Sequence, residues 1–458
     1  MHEVYYLDNE YILDVKVRDG DSYYAGKLTL TPKECFLELA TERTPSENFK
    51  YSESLVCIST NYSYATFLLY GLKLVHMSIG MLEIIENKHI WSFSIKFQIQ
   101  YTVISHVLRL ENKKIRSFNL KSNFIKKWTL HTKTQDQILN SLYNRDDNPI
   151  FSGIEFEEEI QNYGNIGIFY SSTQFASINE LNTGLKIFPE IRVTFLNQLE
   201  MKDIFHEYLK LYQLLTLFNG SDFKIDSIEI GLGDFRPSSI AYLYFPSYQN
   251  VQKNDYTLLP LGKDVIYNDQ QLASLPLNFF DSYYNLPDEK KELFKRYLNY
   301  KRLNSIEEKF LGYFRLLEKL TFKTKSYVDN DSLSNLLERS KSYLSKKLEC
   351  NSKTMANLNK RILRANNSKY NTEKCIADFY DTLPQEIQSL LIFKKEDLIK
   401  ICKLRNDITH ANDYVISDHE LYEYTIFINA LLFLAITNLL LEIPLEACIP
   451  IARRLRQI

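Results

Sequence analysis

A chain of 458 residues, 45% hydrophobic and 24% charged, is long enough for two or three domains with real cores and lacks the composition of a disordered chain. Its 32 tyrosines and 28 phenylalanines against 13 glycines argue against glycine-loop nucleotide folds, and no phosphate-cradling glycine motif is present. A formal net charge of −2 excludes a globally basic nucleic-acid coat, so any nucleic-acid binding must come from local patches.

Cys35, Cys57, Cys350, Cys375, Cys402 and Cys448 form no Cys-x-x-Cys pair and no Cys/His cluster. They read as buried or free thiols of a reducing cytoplasm, and no metal or other cofactor is expected. The start, Met1-His2-Glu3-Val4-Tyr5-Tyr6, has no basic region followed by an apolar run, so no signal peptide is expected.

In chain order, the first 200 residues or so read mostly as strands. Trp91 to Tyr101 alternates strictly between aromatic or isoleucine and polar side chains, which predicts a half-buried antiparallel strand. Similar runs occur at Gly26 to Thr31, Cys35 to Leu39, Tyr64 to His76 and Ile191 to Leu196, with turn-rich pieces such as Thr44-Pro45-Ser46 between them. Serial strands without intervening helices favour an antiparallel sandwich or a barrel-like sheet over a parallel α/β sheet. The acidic run Glu155 to Glu159 reads as a solvated face. From Lys202 to Asn219 the period becomes helical, with Ile204, Tyr208, Leu211, Leu215 and Phe218 on one stripe and Gly220 as the stop; His206 falls on the surface side. Strands return at Lys224 to Ile230 and Ile240 to Phe245, and Pro246 to Asp264 reads as a linker or an ordered interdomain loop.

After Leu286 the pattern is helical. Pro287 starts one helix, and Ser305-Ile306-Glu307-Glu308 is a capping box for the next, which carries Phe310, Tyr313, Phe314, Leu317 and Leu320. Glu308 and Glu318 are its polar members of interest. Between Lys323 and Lys369, eleven Lys and Arg face four Asp and Glu, a local balance of 11 − 4 = +7. Lys360, Arg361 and Arg364, with Tyr370 as a stacking ring, are the candidate RNA-binding residues there, and a solvated helix face is the competing explanation. Thr425 to Leu441 is apolar but carries Asn429, Thr437 and Asn438, so it is expected to be a buried core helix and not a membrane span. The expected architecture is α+β: a β-rich N-terminal domain over residues 1–262 and an all-α domain over residues 263–458.

The chemistry is expected at Lys403-Leu404-Arg405-Asn406-Asp407-Ile408-Thr409-His410. An imidazole gives or takes a proton near neutral pH, and a guanidinium stays charged and holds phosphate oxygens through two parallel bonds. Together they suit attack by a ribose 2′-hydroxyl on its own neighbouring phosphate, a reaction that needs no metal. Asn406 and Asp407, four and three residues before His410, each lie within reach of orienting its ring on a helix. Arg405, five residues before it, falls to one side unless the helix ends or distorts there. A helix-end histidine favoured by the dipole, beside an arginine in a surface salt bridge, accounts for the same spacing.

The motif Arg405-Asn406-x-x-x-His410, set before a long apolar helix in an all-helical half, resembles that of the HEPN ribonuclease superfamily, and within it the ApeA-type proteins of bacterial anti-phage defence. Glu308 to Leu320 is similar to the helix that opens the family's HEPN domain. Ile191-x-Val193-x-Phe195 with the helix Ile204 to Phe218 is similar to the end of its β-rich N-terminal domain. The resemblance implies a helical-bundle endoribonuclease that leaves a 2′,3′-cyclic phosphate, acting on single-stranded RNA such as tRNA loops in abortive infection. His410 would be its general base or acid, Arg405 its transition-state stabiliser and Asn406 an orienting or phosphate-contacting residue, supported by Asp407, Glu318 and Glu308. It also implies a homodimer or higher homo-oligomer, a phage-derived trigger, and a sensing or restraining N-terminal domain. The rival expectation is a non-catalytic HEPN-like dimerisation scaffold whose β domain binds a partner or ligand.

Overall fold

The computed structural model describes residues 4–42, 44–60, 64–85, 88–107, 109–143, 150–177, 182–233, 239–247, 258–266 and 276–457. The chain divides into two compact units, Met1–Asn285 and Leu286–Ile458. In the first, the strands are β1 (Tyr11–Asp19), β2 (Ser22–Leu30), β3 (Cys35–Thr41), β4 (Ser54–Ser59), β5 (Thr66–Tyr70), β6 (Lys73–Ile85), β7 (Lys88–Gln98), β8 (Tyr101–Ser105), β9 (Ile115–Lys121), β10 (Ser152–Ile160), β11 (Gly164–Ser177), β12 (Asn182–Leu199), β13 (Ser227–Leu232) and β14 (Ile240–Tyr244). Its helices are α1 (Glu47–Lys50), α2 (Asn123–Trp128), α3 (Lys133–Tyr143), α4 (Ile204–Asn219) and α5 (Phe279–Tyr284). Among the described residues the strands form one sheet, in the order β10-β11-β12-β9-β13-β14-β8-β5-β4-β1-β2-β3-β7-β6. Every pairing is antiparallel.

The alternation in β7 buries Phe93, Ile95 and Phe97 and leaves Ser94 and Gln98 exposed. The strand stops at Gln98, and Tyr101 begins β8 instead of ending β7. The run Tyr64 to His76 likewise splits into β5 and β6, because Gly71 adopts a left-handed φ of 62° and a side chain there would meet Gln100. Every residue of β8 is buried, and on one side α4 covers it through Tyr101 stacked on Phe205 at 4.9 Å. Gly220, at φ 82°, ends α4, and His206 is exposed as its stripe predicts.

The acidic run is not a uniformly solvated face. A register shift between Ile154 and Phe156 turns Glu155 inward, so that it and Phe156 are both buried. Its carboxylate accepts bonds from the amides of Lys263 and Asp264 and from the Thr132 hydroxyl. That clasp fastens the stretch expected as a linker onto the β unit, where Leu258, Leu259 and Leu261 are buried and Trp128 donates to the Leu259 carbonyl at 2.6 Å. Residues 248–257 of the stretch lie outside those described. The division therefore falls after Asn285 and not after residue 262, since α5 also belongs to the β unit: Phe279 packs on Phe218 at 4.3 Å and Phe280 on Phe156 at 6.1 Å.

The second unit consists of α6 (Asp288–Lys301), α7 (Ile306–Thr321), α8 (Asn330–Lys347), α9 (Ser352–Asn366), α10 (Thr372–Tyr380), α11 (Gln385–Leu390), α12 (Leu398–Thr409) and α13 (Asp418–Leu439), with a 3-10 segment at Leu445–Gln457. The Ser305 side chain caps α7 at the Glu308 amide, as the sequence predicts. At Gly312 a side chain would collide with the Tyr300 ring, so α6 and α7 cross with nothing between them. α13 packs on α7 and forms the centre of the unit. It is the one helix among the described residues long and apolar enough to cross a membrane, and 78% of its most apolar window is buried inside the unit. Its Thr425 and Thr437 hydroxyls bond carbonyls one turn back, which satisfies polar groups in an apolar core.

Candidate active site on the helical unit

α12 buries Leu398, Ile401, Cys402 and Leu404 against the bundle, which leaves Arg405 on the flank of the buried stripe. The helix ends at His410. The amide of Ala411 bonds the Ile408 carbonyl and the amide of Asn412 bonds the Asp407 carbonyl, the two bonds of a Schellman motif, with Ala411 at a left-handed φ of 53°. His410 is thus the C-cap residue, exposed to solvent. The helix runs on regularly past Arg405 as far as Thr409, so Arg405 and His410, five positions apart, stand on different sides of its end.

Arg405 is held on three sides. Its Nη2 lies 2.7 Å from Glu318 Oε2, its Nη1 donates to Asn406 Oδ1 at 3.0 Å, and the guanidinium lies over the Phe314 ring at 5.4 Å from the centroid. The other Glu318 oxygen accepts the Thr372 hydroxyl at 2.6 Å. Arginine, carboxylate and hydroxyl therefore form one chain across α12, α7 and the first residue of α10. The Arg405 and Glu318 side chains are 22% and 29% exposed, so the pair is neither buried nor freely solvated.

Among the described residues no hydrogen bond joins Asn406 or Asp407 to the imidazole. Asn406 spends its oxygen on Arg405, and the Asp407 carboxylate accepts from Asn412 at 3.1 Å, tying the chain that follows His410. That stretch is fixed once more where the Tyr414 hydroxyl donates to Glu307 at 2.8 Å. Glu308, expected in support, is exposed in the first turn of α7, and its amide serves the Ser305 cap. Among the described residues no hydrogen bond or ion pair joins it to Arg405 or His410. Its neighbour Glu307, one helix position away, is the carboxylate that holds Tyr414 in the chain after His410.

Lys360, Arg361 and Arg364 are exposed on α9. Lys360 and Arg364, four apart, share a face. Tyr370 is half-buried, accepts a bond from Lys325 at 3.3 Å and lies two residues before Thr372. Cys402, inside α12, is no nucleophile: burial pushes its thiol up to about 12. Among the described residues no three His, Cys, Asp or Glu side chains gather where they could hold a metal ion.

Sequence reasoning missed Thr372, Phe314, Glu307 and Tyr414. Phe314 lies four residues before Glu318, so helical spacing alone pairs it with the carboxylate that holds Arg405. Thr372 and Tyr414 carry no local signal, because each meets the site across the bundle.

A model of the Apea-like HEPN family matches residues 311–446. A search of curated proteins and a search of solved structures each returned no match. The matched span begins in the second turn of α7 and contains Phe314, Glu318, Thr372, the Arg405 to His410 turn and the whole of α13; the N-terminal stretches at 191–218 lie outside it. HEPN domains are generally ribonucleases that bind RNA and dimerise, with roles in defence. The helical unit of this chain contains an Apea-like HEPN domain at residues 311–446.

Proposed function

We propose that the chain is an endoribonuclease of anti-phage defence whose reaction runs on side chains alone. His410 takes the proton of a ribose 2′-hydroxyl, the freed oxygen attacks the adjacent phosphorus, and the P–O5′ bond breaks as that oxygen gains a proton. The products are a 2′,3′-cyclic phosphate and a 5′-hydroxyl. Arg405 faces the negative charge that gathers on the phosphate, and Asn406 steadies its guanidinium. The observation that carries the reading is the end of α12: an exposed imidazole at the helix C-cap, five residues beyond an arginine whose geometry is fixed by Glu318, Asn406 and Phe314. A side chain fixed before substrate arrives costs little to align in the transition state.

On this reading two copies of the chain pair so that two such turns face one cleft, and the β unit senses a phage-derived trigger or restrains the nuclease. Single-stranded loops, those of tRNA included, are the natural targets because only a flexible ribose reaches in-line geometry. The test is cleavage of total cellular RNA by the full chain and by His410→Ala, both in EDTA, with the fragment ends determined. Cyclic-phosphate ends that depend on His410 support the reading, and equal cleavage by the variant removes His410 from the mechanism. His410→Ala should also leave folding stability within about 1 kcal/mol, because the residue is an exposed helix cap.

A second reading rests on the same ion pair. Because Glu318 already neutralises Arg405, a scaffold that only dimerises would show the same contact, and it would cleave nothing with or without an extract of phage-infected cells.

A further inference from the structure

Between α7 and α8, and between α9 and α10, two short segments run side by side on the surface of the helical unit. Lys325 pairs with Ser368 in an isolated parallel bridge, the Lys369 amide bonds the Lys325 carbonyl at 3.1 Å, and the Tyr327 amide bonds the Asn366 carbonyl at 3.0 Å. Side chains lock the same seam. Asn366 gives and accepts bonds with the Val328 backbone and donates to Asn330, while Asn367 accepts from Ser326 and Asn330. So dense a seam makes a rigid platform out of what would otherwise be two loops.

What the platform displays is two tyrosines, each with a lysine. The Lys325 ammonium is 5.1 Å from the Tyr370 ring centre, and the Lys369 ammonium is 5.9 Å from that of Tyr327. Tyr327 is 62% exposed, an unusual setting for a ring on so rigid a backbone. Three lysines, Lys323, Lys325 and Lys369, face a single acid in the two segments, Asp329, and that carboxylate is spent on capping α8 at the Ser332 amide. An exposed ring, Tyr327, and a half-buried one, Tyr370, on a rigid backbone and each near an ammonium group, offer what a single-stranded nucleic acid requires: a flat surface for an unpaired base and a cation beside it for the phosphate. The platform also leads to the site, because Tyr370 is two residues from Thr372, whose hydroxyl reaches Glu318 and through it Arg405.

We propose that Tyr327 and Tyr370, with Lys325 and Lys369, form a base-stacking subsite for unpaired nucleotides of a single-stranded RNA whose scissile phosphate lies at Arg405, an assignment that rests on the nuclease reading above. The bases stack on the rings without sequence-specific hydrogen bonds, and the two ammonium groups take the backbone between them.

The test uses the full-length His410→Ala chain, which binds without cutting, and two fluorescent probes of equal length: an oligoadenylate and the same ribose-phosphate backbone without bases. The oligoadenylate should bind more tightly than the abasic probe. Tyr327→Leu with Tyr370→Leu should remove roughly ten-fold or more of that preference while leaving the abasic affinity unchanged, as expected for loss of base stacking. Tyr327→Phe, which keeps the ring, should retain the preference. An undiminished preference in the double leucine variant, or no preference at all in its parent, overturns the subsite. Cleavage of the oligoadenylate by the unsubstituted chain, followed in parallel, separates the two ideas. Cleavage that persists when the rings prove irrelevant leaves the nuclease and removes the platform; base-dependent binding without cleavage does the reverse.

Discussion

Glu318 and Arg405 lie 87 residues apart and meet at 2.7 Å, and the second oxygen of the same carboxylate is fixed by Thr372. The carboxylate sets where the guanidinium points, so its replacement should be felt in rate before it is felt in stability. Glu318→Gln should lower single-turnover cleavage by about ten-fold or more, the loss expected when a charge-stabilising group loses its alignment. It should cost about 1 kcal/mol of stability, the range of a partly exposed pair. A faster variant would show that Glu318 restrains Arg405 instead of aiming it.

Ala411 occupies the left-handed region that an L side chain enters at a cost of about 1–2 kcal/mol. Ala411→Gly should therefore stabilise the helical unit by about 0.5 kcal/mol, the gain being trimmed by the freer unfolded chain. Ala411→Val should destabilise it. Urea titration of the full chain reads both, and a glycine variant less stable than its parent would contradict the Schellman ending of α12.

Lys360, Arg361 and Arg364 stand exposed along α9. If they neutralise RNA phosphates, changing all three to Ala should weaken binding evenly across sequences. It should also flatten the plot of log affinity against log salt by about 2, at roughly 0.7 per charge on a single strand. An unchanged slope assigns them to the solvated face of the helix.

Burial raises the thiols of Cys35, Cys402 and Cys448 from their ordinary value of 9.0 to about 12. In the unfolded chain these thiols ionise near 9, whereas in the fold they hold their protons. Their contribution to stability is complete below that value and is lost as pH rises from 9 towards 12. Denaturant midpoints should fall as the pH rises from about 9 towards 12. Thiol reagents at neutral pH should label the three only after unfolding, and labelling of Cys402 in the native protein would refute its burial.

What could be read from the sequence follows from range. Side chains that repeat within one element declare themselves: the alternation of β7 as far as Gln98, the stripe of α4, the Ser305 cap and the apolar run of α13 all appear in the elements expected. The breaks come from features with no local period. Gly71 divides one apparent strand because of a backbone angle, and a single register shift turns Glu155 from an outward acid into a buried clasp. The boundary moved past residue 262 because Phe279 and Phe280 find ring partners far back in the chain, at Phe218 and Phe156. At the site, the Arg405 to His410 turn was legible as six consecutive residues. The roles of its members were not, since Asn406 and Asp407 are committed to Arg405 and Asn412, and Thr372 reaches Glu318 only in three dimensions.

Gly312 has a mechanical meaning for this arrangement. With no side chain to act as a cushion, the backbone of α7 rests directly against the Tyr300 ring of α6. Neither helix can slide without moving the other. Glu318 sits six positions further along α7, about 9 Å at the helical rise, on the same stiff rod. The position of the Arg405 guanidinium is therefore inherited from a bearing between two helices, and α6, which contributes no residue to the chemistry, carries the load that keeps it in place.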